Sequence, residues 1–263
     1  MASPLTLEEL YDKHYHPRDH YATYFSKESS FADESLALPI RELYNVFKSG
    51  SVNGDILIKI GHSFMAHLLV PACGFFKEII VADHMESSNE ELRKWLKNDP
   101  DAMDYDEALK HMCELEGDRE RWSEKKEVLR RTVQKVVKCD IMKSNPLFPL
   151  CVPQADCLIT TAYLEAHCLD MKSFCTALCN ISSLLKIGGH LVMYTMLGCT
   201  FVLLGTFKFP YLCLDKGGLT EAVSDAGYAI ETLEVFPRTT QCEFDIVDYT
   251  HLVILVACKQ RNV

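Results

Sequence analysis

Short apolar segments of strand length alternate along this chain with longer amphipathic segments of helix length. This alternation constrains the fold more than any other feature. Two of the apolar segments, Asp55–Ile60 and Glu78–Ala82, end directly at Gly61 and Asp83. Strands that alternate with helices usually run parallel in one sheet, with helices covering both faces. The sequence therefore predicts an α/β fold.

The remaining elements extend the same pattern to the end of the chain. Helices are predicted within Thr6–Phe25 and over Ser35–Phe47, Ser63–Cys73, Asn89–Lys97, Asp104–Val137, Met171–Leu185 and Leu214–Ala226, the sixth stopped by Gly188-Gly189. Further strands are predicted at Val136–Ile141, Asp156–Thr161, His190–Met196, Tyr228–Phe236 and His251–Cys258. The last two strands are close enough in sequence to pair antiparallel. We expect a doubly wound, mostly parallel seven-stranded sheet with an antiparallel terminal strand pair.

Composition limits the partners of this chain. Its 263 residues carry a formal net charge of -10, which disfavours non-specific binding to nucleic acid or to an anionic membrane. A small-molecule partner is therefore expected. The first residues lack the basic-then-apolar layout of a secretory signal, and the apolar runs are too short to span a membrane. We expect a cytoplasmic protein whose cysteines, such as Cys157, Cys175, Cys179 and Cys258, are reduced core thiols.

Ligands of doubly wound sheets bind beyond the carboxyl ends of the strands. In this chain that rule selects Gly61, Asp83, Asp140 and the segments that follow Thr161 and Met196. None of the histidines forms an HxxxH pair on a confidently predicted helix together with a suitable carboxylate, so no metal site is predicted. Cys168 follows His167 without a glycine-rich elbow, so no cysteine nucleophile is predicted either.

Several local motifs occur in the order found in one methyltransferase family. They are His16-Pro17-Arg18-Asp19 with Tyr24, Glu90–Trp95, Cys113–Gly117, Lys138-Cys139-Asp140, Ser183–His190 and Asp225-Ala226-Gly227-Tyr228. On these motifs the chain resembles the nicotinamide, indolethylamine and phenylethanolamine N-methyltransferases. The resemblance implies a class I, Rossmann-like methyltransferase domain over 1–263, with 1–34 as an N-terminal lid, acting as a monomer. It also implies S-adenosylmethionine as cofactor and methyl transfer to a small amine or pyridine-type nitrogen.

The resemblance also implies roles for individual residues. Asp83 matches the carboxylate that accepts hydrogen bonds from the ribose hydroxyls, and Asp140 and Ile141 match the pair that contacts the adenine. A helix-cap or loop role stays open for Asp140. The full set of implied cofactor positions is His20, Tyr24, Phe25, Gly61, His62, His67, Asp83, Ser88, Asp140 and Ile141. Of these, five differ from the residue that the family usually carries: His20, Phe25, His62, His67 and Ser88.

The turn after the first strand departs most from the family. The family reads acidic-Ile-Gly-Ser-Gly-Pro there, whereas this chain reads Lys59-Ile60-Gly61-His62-Ser63-Phe64. Glycines at such a turn let the backbone approach the cofactor's amino-acid portion. A lysine at roughly 5 Å from the cofactor's ammonium would cost about 3 kcal/mol at an effective dielectric of about 20. Lys59 could instead turn to the cofactor's carboxylate or point away.

The acceptor side offers two candidate residues. Glu165 is acidic at the position after the fourth strand and is a candidate to face a substrate amine. Thr195 stands where the nicotinamide enzyme carries an aspartate, which argues against nicotinamide specificity. Aromatic residues suited to an aromatic guest follow at Phe201, Phe207, Phe209 and Tyr211. Two functions stay open: an active N-methyltransferase, or a catalytically inactive relative that serves as a binding or structural protein.

Overall fold

The computed structural model describes residues 6–26, 28–241 and 246–263. Part of the predicted lid, residues 1–5 and 27, lies outside the described residues. The described helices are α1 Leu7–His14, α2 Pro17–Tyr24, α3 Leu38–Lys48, α4 Glu86–Leu96, α5 Asp106–Leu115, α6 Trp122–Thr132, α7 Leu164–His167, α8 Met171–Ser182 and α9 Lys216–Asp225. A π-helical segment at Asp33–Ala37 leads into α3, and 3₁₀ turns lie at Ala66–Leu69 and Arg119–Arg121.

Seven of the described strands form one sheet in the order β3-β2-β1-β4-β5-β9-β8. The described strands are β1 Ile56–Ile60, β2 Glu78–Asp83, β3 Val133–Lys138, β4 Ala155–Thr161, β5 Leu185–Leu197, β6 Phe201–Leu204, β7 Phe207–Pro210, β8 Tyr228–Pro237 and β9 His251–Lys259. The strands from β3 to β5 run parallel, and β9 and β8 join antiparallel. The predicted fold class is confirmed. The strand order reverses between β1 and β4, which places a crevice at their carboxyl ends.

The central strand β1 shows why the sheet is buried on both faces. It pairs with β2 and β4, and Leu57 packs into the apolar cluster on one face while Ile58 and Ile60 pack into the cluster on the other. Successive side chains of a strand point to opposite faces, so Lys59 shares the face of Leu57. Lys59 is fully buried there. A buried cation in a central strand requires polar partners, and these lie in the turn that follows β1.

The predicted helix over Ser63–Cys73 is wrong. This segment forms turns around the single 3₁₀ turn at Ala66–Leu69. Every residue from 61 to 73 is buried, so the segment has no solvent face to give it an amphipathic helical pattern. Met65 has a φ of -82° and a ψ of 57°, which lie outside the helical region, and Pro71 interrupts the segment further along.

Several other boundaries differ from the sequence predictions. The region Asp104–Val137 splits into α5 and α6, and β3 lies earlier than predicted. α8 ends at Ser182, and the Gly188-Gly189 pair lies inside β5 rather than ending the helix. The hairpin of β6 and β7 was not predicted. Its two strands turn at Gly205, whose φ of 60° suits glycine.

The N-terminal helices pack across the carboxyl edge of the sheet. Tyr11 of α1 stacks on His167 with ring centroids 4.7 Å apart. Arg18 of α2 forms an ion pair with Glu91 of α4 at 2.9 Å, which ties α2 to the body of the domain. These helices therefore cover the crevice where a ligand of this fold would bind. None of the described helices is long and apolar enough to cross a bilayer.

The cysteines within the described ranges are all free thiols. Of the four predicted as core thiols, Cys157 is buried, whereas Cys175, Cys179 and Cys258 are only half-buried.

Candidate functional site

The turn after β1 brings the backbone of Gly61 against an aromatic ring. Gly61 has a φ of 84°, and its amide donates to the carbonyl of Ala82 at 2.7 Å. A Cβ at this position would lie 2.0 Å from Cγ of Tyr163. The ring of Tyr163 therefore rests directly on the Cα of Gly61, and only glycine fits there.

Lys59 lies beneath the same turn. Its ammonium donates to the carbonyl of His62 at 2.7 Å and to the carbonyl of Gly61. Burial lowers the pKa of Lys59 to about 7, and the nearby Asp83 opposes this shift. Of the orientations considered from the sequence, Lys59 takes the one that points away from the crevice. Its charge binds the chain's own carbonyl oxygens.

The carboxylate of Asp83, the last residue of β2, also binds backbone groups of the chain itself. Oδ2 accepts a hydrogen bond from the amide of Ser63 at 2.7 Å, and Oδ1 accepts one from the amide of Met85 at 3.0 Å. Asp83 is buried, and burial raises its pKa. A ribose diol would have to share or replace these two backbone contacts.

Four aromatic side chains form a continuous barrier across the crevice, which we call the aromatic wall: Tyr11, His62, Tyr163 and His167. The ring of Tyr163 lies 5.4 Å from that of His62 and 4.1 Å from that of His167, centroid to centroid. Nε2 of His62 donates to the carbonyl of Ala162 at 3.2 Å. Burial lowers the pKa of His62 well below its ordinary value, so the ring is neutral at neutral pH.

An open cleft of about 340 Å³ lies on one side of the aromatic wall. Asp140 and Ile141, the residues predicted to contact adenine, line it together with His84 and Met142. Asp140 accepts from the amide of Met142 at 3.0 Å and pairs with Lys143 at 3.3 Å. The hydrophobic Ile141 and the partly exposed carboxylate of Asp140 therefore lie at one cleft, and their contact with adenine stays a prediction.

A smaller cavity of about 60 Å³ lies on the other side of the wall. Four of the predicted cofactor residues line it: His20, Tyr24, Phe25 and His62. The hydroxyl of Tyr24 contacts the carbonyl oxygens of Leu203 and Ile246 at 2.9 and 3.1 Å. The cavity is smaller than the roughly 300 Å³ at which ligand pockets begin.

Glu34 is a cavity residue that the sequence did not predict. Its carboxylate accepts hydrogen bonds from Thr239, Thr240 and the hydroxyl of Tyr249. Burial alone would raise its pKa, but these hydrogen bonds outweigh burial and lower the pKa to about 2. Glu34 is therefore ionised in the wall of the cavity. Its partners lie more than 200 residues along the chain, so no local pattern could have revealed the contact.

Glu165 and Thr195, the two residues predicted for the acceptor side, lie in contact with each other. The hydroxyl of Thr195 donates to the carboxyl of Glu165, and both side chains are buried. Burial raises the pKa of Glu165 to about 7. Burial chiefly, and the nearby Glu165 in addition, raise the pKa of Tyr211, which lines the cavity. A carboxyl that changes protonation near neutral pH therefore lies behind the cavity residues Met196 and Tyr211, and neither Glu165 nor Thr195 lines the cavity itself.

His67 and Ser88 lie in the core. Both are fully buried, and neither lines the cleft or the cavity. Within the described part of the chain, neither ring nitrogen of His67 has a hydrogen-bond partner. In this packing the two residues offer no surface to a cofactor.

S-adenosylmethionine fits one end of this arrangement and not the other. The cleft has the volume and the lining expected for the nucleoside end. The face of Gly61, where the amino-acid portion would approach the backbone, is covered by Tyr163. The aromatic wall separates the cleft from the cavity, and none of the described residues lines both spaces. Tyr163 was not among the residues predicted from the sequence. Its only sequence signal was its position after β4, because ligands of doubly wound sheets bind beyond the carboxyl ends of the strands.

Burial lowers the pKa of His20 and of His62, so both rings are neutral at neutral pH. Among the described residues, one group has three side chains close enough to share an ion: His190, Glu231 and Cys258. It lies on the antiparallel strands, and His190 already pairs with Glu231 at 3.3 Å. This group is not part of the candidate site.

The family model and the similar curated proteins agree on one group of relatives. The family model described as "NNMT/PNMT/TEMT family" matches residues 3–260. Human nicotinamide N-methyltransferase is 39% identical over 241 residues, covering 91% of each chain. Rabbit (Oryctolagus cuniculus) indolethylamine N-methyltransferase is 42% identical, covering 91% of this chain and 92% of the relative.

Solved structures show the same fold at low sequence identity. Magnesium protoporphyrin IX methyltransferase from Synechocystis PCC 6803 with bound SAM has a TM-score of 0.60 at 10% identity, covering 99% of this chain and 100% of that one. A SAM-dependent methyltransferase from Methanosarcina mazei has a TM-score of 0.55 at 10% identity, covering 81% and 97%. The fold is that of class I S-adenosylmethionine-dependent methyltransferases. By the family match and by its relatives, this chain belongs to the NNMT/PNMT/TEMT family.

Proposed function

We propose that this chain transfers a methyl group from S-adenosylmethionine to the nitrogen of a small amine or pyridine-type acceptor. Membership of a family whose relatives are named as nicotinamide, indolethylamine and phenylethanolamine N-methyltransferases supports the proposal. The fold supports it as well, since the candidate site lies at the strand ends where such proteins bind their ligands.

The observation that carries the proposal is the composition of the cavity, which at about 60 Å³ has to widen before it admits a whole acceptor. Rings of Tyr24, Phe31, Tyr211 and Tyr249 surround it, and the ionised carboxylate of Glu34 forms part of its wall. Aromatic rings attract cations through their negative faces, and cages of this kind recognise alkylated ammonium groups. An anion within such a cage favours a protonated amine or a methylated cation over a neutral or acidic guest.

Glu165 gives the acceptor side a group that can exchange a proton. A carboxyl with a pKa of about 7 is half ionised at neutral pH, so it can accept a proton from an ammonium acceptor. Methyl transfer needs a nitrogen with a free lone pair. In this proposal Glu165 accepts that proton, Thr195 orients its carboxyl, and the aromatic cage aligns the acceptor.

The sequence-based expectations on organisation belong to the same proposal. We propose one domain over 1–263 with the segment 1–34 as its lid, acting as a cytoplasmic monomer. The net charge of -10 supports a small-molecule partner rather than nucleic acid.

The second candidate function is a catalytically inactive relative that serves as a binding or structural protein. The aromatic wall favours it, because Tyr163 covers Gly61 and the carboxylate of Asp83 is already bound by two amides. Because the chain's own groups already fill the hydrogen bonds and contacts at this edge of the sheet, no ligand is needed there to keep the chain folded.

A methyl-transfer assay separates the two candidates. Purified protein is incubated with methyl-labelled S-adenosylmethionine and, in turn, nicotinamide, an indolethylamine and phenylethanolamine. The enzyme is supported if the wild type methylates one of these acceptors and the methylation rate falls at least about tenfold in Glu34→Gln. The rate should not fall in the exposed control Glu90→Gln. Absence of transfer at millimolar acceptor, together with absence of S-adenosylhomocysteine binding by calorimetry, leaves the inactive relative.

A further inference from the structure

Tyr163 differs from the other rings of the aromatic wall because it touches the one surface that a cofactor tail would need. Its ring is buried against Gly61, and its hydroxyl accepts a hydrogen bond from the amide of His84 at 3.3 Å. The ring is thus anchored at both ends, by the turn after β1 and by the residue after β2. Those two strand ends are where an amino-acid tail and a ribose would be held.

The two spaces beside Tyr163 differ in what they can accept. The cleft of about 340 Å³ is open and already reaches the size range of ligand pockets. At the backbone of Gly61 the Tyr163 ring leaves no room for a side chain as small as a methyl group. A ligand that ends at its ribose does not need this surface, whereas a ligand with an amino-acid tail needs it to approach the turn after β1.

We infer that Tyr163 determines which ligand the cofactor site of this chain accepts, by excluding the amino-acid tail while leaving the nucleoside end accessible. The inference concerns the site of the proposed function and favours its second candidate, the inactive relative, because S-adenosylmethionine carries the same amino-acid tail. It assigns to Tyr163 a role in selectivity between ligands that share the nucleoside and differ in the tail.

The test compares two probes, S-adenosylhomocysteine and adenosine, which share the nucleoside and differ in the tail. Calorimetry on the full chain measures both affinities. In the wild type the two affinities are expected to be equal within about threefold, because the excluded tail contributes no contact. In Tyr163→Ala the tail can reach the backbone of the turn, and S-adenosylhomocysteine is expected to bind at least about tenfold more tightly than adenosine.

Two further variants separate selectivity from a structural effect. Tyr163→Phe keeps the ring and loses the contact with the His84 amide, so its ratio of affinities should equal that of the wild type. Tyr228→Ala removes a buried tyrosine that packs in the apolar cluster beside α8 and α9, and it should leave the ratio unchanged. If Tyr163→Ala does not fold by circular dichroism, Tyr163→Leu, which also removes the ring, takes its place.

Each outcome decides the inference. Binding of the homocysteine derivative that appears or tightens in Tyr163→Ala alone supports it. A wild type that already prefers S-adenosylhomocysteine by tenfold or more overturns it, and so does an unchanged ratio or absent binding in the alanine variant. The proposed function is decided separately by methyl transfer in the wild type: transfer retains it and absence of transfer rejects it. Transfer that appears only in Tyr163→Ala supports the inference and rejects the function for the wild type. A wild type that prefers S-adenosylhomocysteine and transfers methyl groups retains the function and rejects the inference.

Discussion

The nucleoside end and the amino-acid end of the candidate cofactor site differ in what occupies them. At the nucleoside end, Asp140 and Ile141 line an open cleft. At the amino-acid end, the ring of Tyr163 covers Gly61, and the ammonium of Lys59 binds the carbonyls of the turn from below. The Lys59–Phe64 turn, where this chain departs most from the family, is therefore stabilised by the chain's own groups.

The first prediction concerns the stability of that turn and carries the largest expected effect. Lys59→Met leaves the carbonyls of Gly61 and His62 buried without their donor, and each unsatisfied acceptor costs about 1–3 kcal/mol. We expect the free energy of unfolding to fall by about 3 kcal/mol and Tm to fall by about 10 °C. Urea denaturation and calorimetry measure both quantities.

Its matched control is Lys216→Met, which removes an exposed lysine at the start of α9. The control should change the free energy of unfolding by less than about 0.5 kcal/mol. Equal losses in the two variants would mean that the Lys59 ammonium does not hold the turn, and the contrast between the two ends of the site would lose its physical basis.

The second prediction is a pH dependence from the same lysine. Burial lowers the pKa of Lys59 to about 7 in the folded chain, against an ordinary value of 10.5 in the unfolded chain. Between these values the unfolded chain binds the proton and the folded chain does not, so the stability contributed by this group rises with pH. Below the folded value both states are protonated, and its contribution is constant. The slope is at most about 1.4 kcal/mol per pH unit.

The measurement is the difference in unfolding free energy between the wild type and Lys59→Met at pH 6, 7, 8 and 9. The difference should grow from pH 7 to pH 9 and stay level below pH 7. A difference that is flat over the whole range would show that Lys59 keeps an ordinary pKa in the folded chain.

The sequence was sufficient for the sheet and for the open end of the site, because both follow from local patterns. Strand-length apolar runs and their order predict the seven-stranded sheet, and the strand-end rule places Asp140 at its carboxyl edge. The direction taken by Lys59 was left open, since a strand pattern gives the face of a side chain and not its partners. The contacts of Tyr163 with Gly61 and of Glu34 with Thr239 span about 100 and 205 residues, and no local pattern encodes them.

The third prediction concerns Glu165, the candidate proton acceptor beside the acceptor cavity. If Glu165 accepts a proton from the acceptor, the methyl-transfer rate rises with pH through about 7, where its carboxyl ionises. Glu165→Gln should remove this rise and lower the rate by about tenfold or more. The hydrogen bond from Thr195 lowers the pKa of Glu165, so Thr195→Val should move the midpoint to higher pH. A midpoint unmoved in both variants would assign the titration to another group.

The last prediction concerns the nucleoside end, where the expected effect is smallest. If the Asp140 carboxylate accepts a hydrogen bond from an adenine amine, Asp140→Asn weakens adenosine binding by about fivefold, or about 1 kcal/mol. The carboxylate belongs to the part of the site that adenosine and S-adenosylhomocysteine share, so the two affinities should fall by the same factor. Asp225→Asn, at the exposed end of α9, is the matched control and should change neither affinity. Unchanged adenosine binding in Asp140→Asn would place the nucleoside outside the cleft. Tyr163 would then no longer separate an open nucleoside end of the cofactor site from a covered amino-acid end.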